Sequence, residues 1–451
     1  MLFLRITFFV HFQYLRTLFV NHTKSDFGLA SFCLKGNLNS AYRLSSIENN
    51  ERLVGLKVLN RTWVRLFKKI DLSLNKNNNF AIVDDDATVI KQKRIDYIAY
   101  IIKKPMENYL CKEELISYPL PIHYKALIFL VSIINALWIV PLCLFSKKRI
   151  FYALYMYFII ESILSIFFCK KNKITTAIFS SIFSQDSNIN FLLYKYFKIE
   201  VIKNPSEDPF AFDNSILLTD KLLICNPYQI EEIKQIKTIK TSEIIYALPE
   251  QTLDYSDKYS TKTIDSEKNT IGFYSSGSWL RKEFSMNYHH QGIDCAEQED
   301  NLLLELNLFI AKNPIYKIKI FLHPLEKKSE NALSKVKYYY SSKLSSIPFE
   351  YNDLNDHTCL SFEECDVAIS LFSGSGLYRL MFGYKTLYYV PNNSFQKFPM
   401  DNTSLANINI GKQKFDEFLT QNLQYSEAYF FEKHKLNNYL FNNQNTLLNL
   451  S

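Results

Sequence analysis

A chain of 451 residues is too long for one ordinary domain and suits two of roughly 150–200 residues each. Apolar residues make up 47%, enough for sizeable cores, and the richness in Phe and Tyr, with Ile, Asn and Lys, reads as genomic rather than functional. The formal charge of +7 is a mild excess without an Arg-rich stripe, which excludes a nucleic-acid binder and suits an anionic membrane surface or phosphate-bearing ligands.

Residues 2–9 form an apolar stretch that the pattern assigns to a first strand, followed by a helix. Arg5 and His11 interrupt the apolar core that a signal peptide would need, and no small-residue cleavage site follows. Residues 79–83 (NFAIV) are an apolar run of strand length that ends in Asp84, Asp85 and Asp86. Two further apolar runs, 126–145 and 150–169, are each about 20 residues, long enough to cross a bilayer. The linker between them carries Lys147, Lys148 and Arg149, and basic residues flank the outer ends. Two full crossings would put that linker on the non-cytoplasmic face, against the positive-inside rule. A hairpin dipping into, or lying on, the cytoplasmic leaflet of the inner membrane is therefore expected, with two full spans or two buried soluble helices as the other readings.

After the hairpin the pattern alternates. Residues 191–197 read as helix, 199–202 as strand, 222–225 as strand, 228–236 as helix and 244–247 as strand. The polar stretch 251–269 is the best linker candidate. Beyond it come strand 270–274 leading into Ser275-Ser276-Gly277-Ser278, helix 297–311, strand 318–322 leading into His323-Pro324, strand 367–371, helix 377–382 and strand 386–390. Strand–helix–strand spacing means a parallel sheet, whose ligands bind at the carboxyl ends of the strands, where each of these motifs falls. The expected domains are an N-terminal one (1–120, continued at 174–250), the hairpin at 121–173, the linker at 251–269 and a C-terminal nucleotide-binding domain at 270–451.

Eight cysteines are scattered, none in a CxxC pair or at zinc-ligand spacing with His, and read as isolated reduced thiols. Neither GxGxxG nor GxxxxGK[ST] occurs, so any phosphate site is built another way. Four motifs carry candidate chemistry. Ser373-Gly374-Ser375-Gly376, between a strand and a helix, offers hydroxyl donors, small residues and a helix N-terminus to a phosphate; the plainer reading is a Ser-capped turn. His323, fixed by Pro324, can donate to a phosphate oxygen or protonate it as it leaves; the plainer reading is a surface His. Asp84, Asp85 and Asp86 repel one another, which raises at least one pKa and suits a general base; a solvated turn or a metal-binding Asp-x-Asp pair are the rivals. Ser276 and Arg281 stand on a loop expected to face the interdomain cleft, with Arg281 placed to meet an acidic sugar.

Taken together, the order of Asp84-Asp85, His323-Pro324 and Ser373-Gly374-Ser375 resembles the bacterial sialyltransferases of the two-Rossmann GT-B fold, and related capsule and lipopolysaccharide transferases. That resemblance implies an α/β chain of two Rossmann-like domains with the membrane-associated hairpin inserted in or after the first. It implies Asp85 as the base, with Asp84 and Asp86 as alternatives, and His323, Ser373 and Ser375 at the phosphate of a CMP-linked donor. Transfer is to a surface glycan or glycolipid, without metal or other cofactor. Two positions depart from the family pattern: Asp86 stands where it has Gly, and Gly374 splits the Ser pair. Donors such as CMP-Kdo, CMP-pseudaminic acid or CDP-glycerol would fit the same motifs. A metal-dependent transferase using Asp84 and Asp86, or a non-catalytic scaffold of the same glycan pathway, are the alternatives.

Overall fold

The structure is a computed structural model that describes residues 1–19, 60, 63–64, 66–67, 80–84, 110–111, 120–145, 149–179, 187–203, 217–224, 227–234, 239–246, 258–259, 268–283, 289–290, 293–327, 330–352, 358–371, 373–390 and 403–440. The chain divides into two compact units. The first holds residues 1–207, 211–225 and 233–247, and the second holds 208–210, 226–232 and 248–451.

Among the described elements of the first unit are α1 (Leu2–Phe19), β1 (Phe80–Asp84), β2 (Leu110–Cys111), α2 (Ile122–Phe145), α3 (Arg149–Lys171), β3 (Thr176–Phe179), α4 (Ser187–Tyr196), β4 (Glu200–Lys203), β5 (Lys221–Ile224) and β6 (Glu243–Tyr246). The strands form one parallel sheet in the order β2-β1-β3-β4-β5-β6. Parallel strands need crossover connections, and the one from β2 to β3, which lie on either side of β1, carries α2 and α3, which pack against each other and against α1. The helical hairpin expected from the two apolar runs is therefore part of the first unit.

One expectation is corrected here. Residues 2–9 are helix rather than strand: Phe3, Ile6, Val10 and Tyr14 are buried at three- and four-residue spacing, and a strand would have alternated its faces instead. Residues 159–169 of α3 are buried throughout. They pack in one apolar cluster with α1, α2, α4, β3 and β4. Phe167 meets Phe3 edge-on at 4.8 Å, and the Tyr14 and Ser162 hydroxyls lie 3.2 Å apart.

The second unit carries β7 (Thr270–Tyr274), α5 (Ser278–Glu283), α6 (Cys295–Lys312), β8 (Lys317–Phe321), α7 (Glu330–Lys343), β9 (Phe349–Tyr351), β10 (Val367–Ser370), α8 (Gly374–Met381), β11 (Thr386–Tyr388), α9 (Phe415–Gln424) and α10 (Glu427–Lys433). Its sheet is also parallel, in the order β9-β8-β7-β10-β11. Both faces are covered, which is why β10 reads VAIS and is buried at every position. Ile271, Phe273, Ile318, Ile320, Val367 and Ile369 face the larger cluster with α6 and α7. On the other face, Tyr274, Phe321 and Ala368 meet Phe362, Phe382 and Tyr384. Tyr259, from the stretch read as a linker, packs into this second face and donates its hydroxyl to the Cys359 carbonyl at 2.7 Å. The expected class, α/β with two Rossmann-like domains and a helical hairpin in the first, is the class this chain adopts.

At the amino-terminal edge of this sheet, Asp366 and Lys385 form a buried ion pair at 2.8 Å. Lys385 also donates to the carbonyls of Asn422 and Tyr425, which fastens α9 beneath the sheet.

Candidate functional site

In the second unit the strands run 3-2-1-4-5 in chain order. The first and fourth, β7 and β10, lie side by side, and the chain leaves them toward opposite edges of the sheet. Such a switch point opens a crevice at the carboxyl ends, where doubly wound sheets bind their ligands. Three neighbouring strands end level there, with Phe321, Tyr274 and Ser370 in register. Within six residues of that level come Ser276 and Gly277, His323 and Pro324, and Ser373 through Gly376. The topology thus brings the second-half motifs to one sheet edge.

Two buried carboxylates that sequence reasoning missed shape this edge. Glu299, on α6, accepts the amide N–H of Ser276 at 2.5 Å and of Ser278 at 3.2 Å. Glu326 accepts the His323 amide N–H at 2.7 Å, the Trp279 indole N–H at 2.7 Å and the Tyr340 hydroxyl at 2.9 Å. Both were readable in part. Glu299 shares a helix face with Leu302, Leu303 and Leu306, an acid where an apolar residue belongs, and Glu326 stands three residues after His323 at capping-box spacing. Burial pushes the Glu299 carboxyl up to about 7, against the lowering effect of the Ser276 amide and with a further rise from nearby Glu326. Glu326 is raised as well, chiefly by burial.

A raised carboxyl pKa means the protonated form is favoured on folding. The stabilisation from Glu299 is then complete below its unfolded value of about 4.5 and is lost as pH rises through about 7. Glu299→Gln is expected to flatten the fall in unfolding free energy between pH 5 and pH 8, as read by urea denaturation. An unchanged slope in the variant would show that Glu299 does not titrate in this window.

Gly277 has φ +64, and a Cβ built on it would lie 3.1 Å from His323 Nδ1. The serine loop therefore lies directly against the imidazole, and only glycine fits without moving the ring. Gly277→Ala is expected to cost about 1 kcal/mol through the left-handed backbone, and to displace His323. Thermal melts check the first effect, and the His323 ring resonances in NMR check the second. His323 itself is half-buried, and its Nδ1 accepts the Leu325 amide N–H at 3.1 Å. In the neutral ring that bond places the proton on Nε2, which makes Nε2 a donor.

Ser373 is the N-cap residue of α8, yet its hydroxyl makes no capping bond to the helix. The N–H groups of the first turn of α8 lie at the positive end of the helix dipole. The Ser375 hydroxyl bonds to the buried Cys359 thiol. Gly376 is a packing residue: a Cβ there would meet the Tyr388 hydroxyl at 2.8 Å, so α8 rests directly on β11. Arg379, fully buried, locks the same helix from below by donating to the carbonyls of Phe362, Cys365 and Lys385.

The remaining expected residues fall elsewhere. Arg281 lies on α5, its side chain outside the described ones. The Ser276 hydroxyl bonds to that of Ser278 and its amide to Glu299, so this loop is held by the protein itself. In the first unit, where the order 2-1-3-4-5-6 makes a second switch point between β1 and β3, Asp84 is the last residue of β1. Asp85 and Asp86 lie outside the described residues.

No protein-family model matches the sequence, and no curated protein matches it. Among solved structures the chain is similar to the UDP-GlcNAc 2-epimerase from Neisseria meningitidis bound to UDP-GlcNAc, at 12% identity and a TM-score of 0.42, over 82% of this chain and 97% of that one. It is also similar to a mutant O-GlcNAc transferase of Thermobaculum terrenum, at 8% identity and a TM-score of 0.36, over 92% of this chain and 73% of the other.

Proposed function

We propose that the chain is a glycosyltransferase of GT-B type that moves a sialic-acid-type sugar from a CMP-linked donor to a hydroxyl of a surface glycan or glycolipid. The observation that carries this reading is the carboxyl edge of the second sheet. There Ser373, with a hydroxyl not used in capping, and the first turn of α8 follow β10, while His323 with its Nε2–H follows β8, the two strands lying on either side of β7. Donors of this kind at one sheet edge suit a phosphate.

In the reaction the acceptor oxygen attacks the anomeric carbon, and its proton passes to Asp85. The bond from that carbon to the phosphate oxygen breaks, and the electron pair stays on the phosphate. His323 donates from Nε2 to that oxygen while Ser373 and the helix N–H groups hold the remaining charge. Asp84 closes β1 at the other switch point of the chain, and Asp85 follows it in the sequence, which suits a base supplied by the first unit.

The test is nucleotide binding. CMP is expected to raise the melting temperature of the full chain more than CDP, UDP or GDP does. Ser373→Ala with Ser375→Ala is expected to weaken CMP binding by about tenfold or more, since a hydrogen bond to a charged group contributes roughly 1.5–3 kcal/mol. Most of that loss belongs to Ser373, because Ser375 already bonds to Cys359. If none of the four nucleotides shifts the melt, the chain is no nucleotide-sugar enzyme. If the double variant binds as the parent does, the phosphate lies elsewhere.

A further inference from the structure

The helical layer of the first unit exposes an apolar stripe and buries several polar side chains among its apolar ones. Among the side chains described on α2 from residue 130 onward, every exposed one is apolar: Leu130, Ile133, Ile134, Leu137, Trp138 and Phe145 form the stripe, with Pro141 between. Leu137 is 70% exposed and Trp138 54%, so these are outward-facing side chains rather than grazing ones. The buried face of the same helix carries Lys125, Ser132 and Asn135. α1 repeats the exposed apolar stripe, and α3 only the buried polar groups. α1 buries Thr7 and His11 while exposing Leu4, Phe8 and Phe12, and α3 buries Glu161, Ser162 and Ser165.

A helix at a water surface does the opposite, turning its apolar stripe inward and its polar side chains out. Polar groups inside and apolar groups outside are the pattern of helices whose surroundings are hydrocarbon, where burying a polar group among partners is cheaper than presenting it outward. Charge points the same way. The only acidic residue in α1, α2 and α3 is Glu161, and it is buried. The exposed charges on α1 are Arg5 and Arg16, standing before and after Phe8 and Phe12. Lys147, Lys148 and Arg149 follow α2 in the sequence, and Lys170 and Lys171 close α3. Basic side chains bracketing an apolar stripe match an anionic lipid surface, with the long stems reaching back to the headgroups.

We propose that the outer stripes of α2 and α1 dock the first unit onto an anionic lipid bilayer, inserting Leu137, Trp138, Phe8 and Phe12 at its surface. The hairpin as a whole does not enter, because the second half of α3 is the core on which this unit is built. The attachment is therefore peripheral and one-sided, and it does not depend on the proposed chemistry of the second unit.

The test is flotation of the full chain with vesicles of phosphatidylcholine and phosphatidylglycerol, with no nucleotide or sugar present. The parent chain is expected to float with these vesicles and to bind phosphatidylcholine vesicles more weakly. Leu137→Glu with Trp138→Glu is expected to lower the partition coefficient about hundredfold, roughly tenfold for each large apolar side chain withheld from the bilayer. Phe8→Glu with Phe12→Glu is expected to lower it as well. Both pairs are exposed, so circular dichroism should remain that of the parent. As a second reading on the unaltered chain, Trp138 fluorescence is expected to be quenched by lipids brominated near the headgroup, and a Trp138→Phe variant should lose that quenching. A parent chain that stays in the dense fraction, or a Leu137→Glu/Trp138→Glu variant that floats as the parent does, overturns the proposal. So does a chain that fails to float but has twice the monomer mass by light scattering, for then the stripe is covered by a second copy.

Discussion

Asp85→Asn is expected to lower turnover by about 10²–10⁴-fold, the usual loss when a general base is removed, while CMP affinity stays close to that of the parent chain. The change keeps the size of the side chain and abolishes its basicity. The two measurements separate because the proposed base belongs to the first unit, at or after the end of β1 in the sequence, whereas the proposed phosphate donors follow β8 and β10 and open α8 in the second. Asp84→Asn and Asp86→Asn belong beside it, since three successive acids leave the register of the base open. Retention of full turnover in all three would remove the first unit from the chemistry. Loss in Asp84→Asn and Asp86→Asn together with collapse of parent turnover in a chelator would instead assign the acids to a metal ion.

Lys385→Met is expected to destabilise the second unit by about 3–5 kcal/mol, the effect of leaving one member of a buried ion pair without its partner. Asp366 is 3% exposed and Lys385 fully buried, so water cannot replace the lost ammonium. Lys268, 3.8 Å from Asp366 and more exposed, recovers only part of it. Adding Asp366→Leu to Lys385→Met is expected to restore most of the stability, because an apolar pair leaves no stranded charge. Urea denaturation of the parent chain, the single variant and the double variant measures the cycle. A single variant within about 1 kcal/mol of the parent would mean that this pair contributes little.

These two predictions also mark what a sequence can and cannot disclose. The strands of the second sheet were legible because they are buried on both faces. TIGFY and VAIS are short apolar runs bounded by polar turns, and 270–274 is a strand with the boundaries read from the pattern. The edge strand β9, FEY, is three residues long and half exposed, so no periodicity announced it. At the other extreme α1 was misread because Leu2 to Phe9 is apolar at almost every position, a run that fits a strand as well as a helix. Only the burial of Phe3, Ile6, Val10 and Tyr14 decides between them.

The site divides in the same way. His323 and Ser373 were visible because His-Pro and Ser-Gly-Ser-Gly are unusual at strand ends. Glu299 and Glu326 were legible only in part, because their role depends on which amides they reach, and that is settled by packing between α6, the serine loop and the turn after β8. The ion pair of Asp366 with Lys385 joins residues that are not adjacent in sequence, and no local pattern marks them as partners.

Glu299 and Glu326 have one further consequence, for the timescale on which the edge of the second sheet moves. The amide hydrogens of Ser276, Ser278 and His323 end on buried carboxylates rather than on water, so they should exchange with deuterium at rates set by opening of the whole unit and not by local fraying of a loop. A ligand arriving there meets a rim whose backbone is already in place. Its association should be governed by diffusion and charge, with little of the slow ordering phase that accompanies loops folding around their cargo.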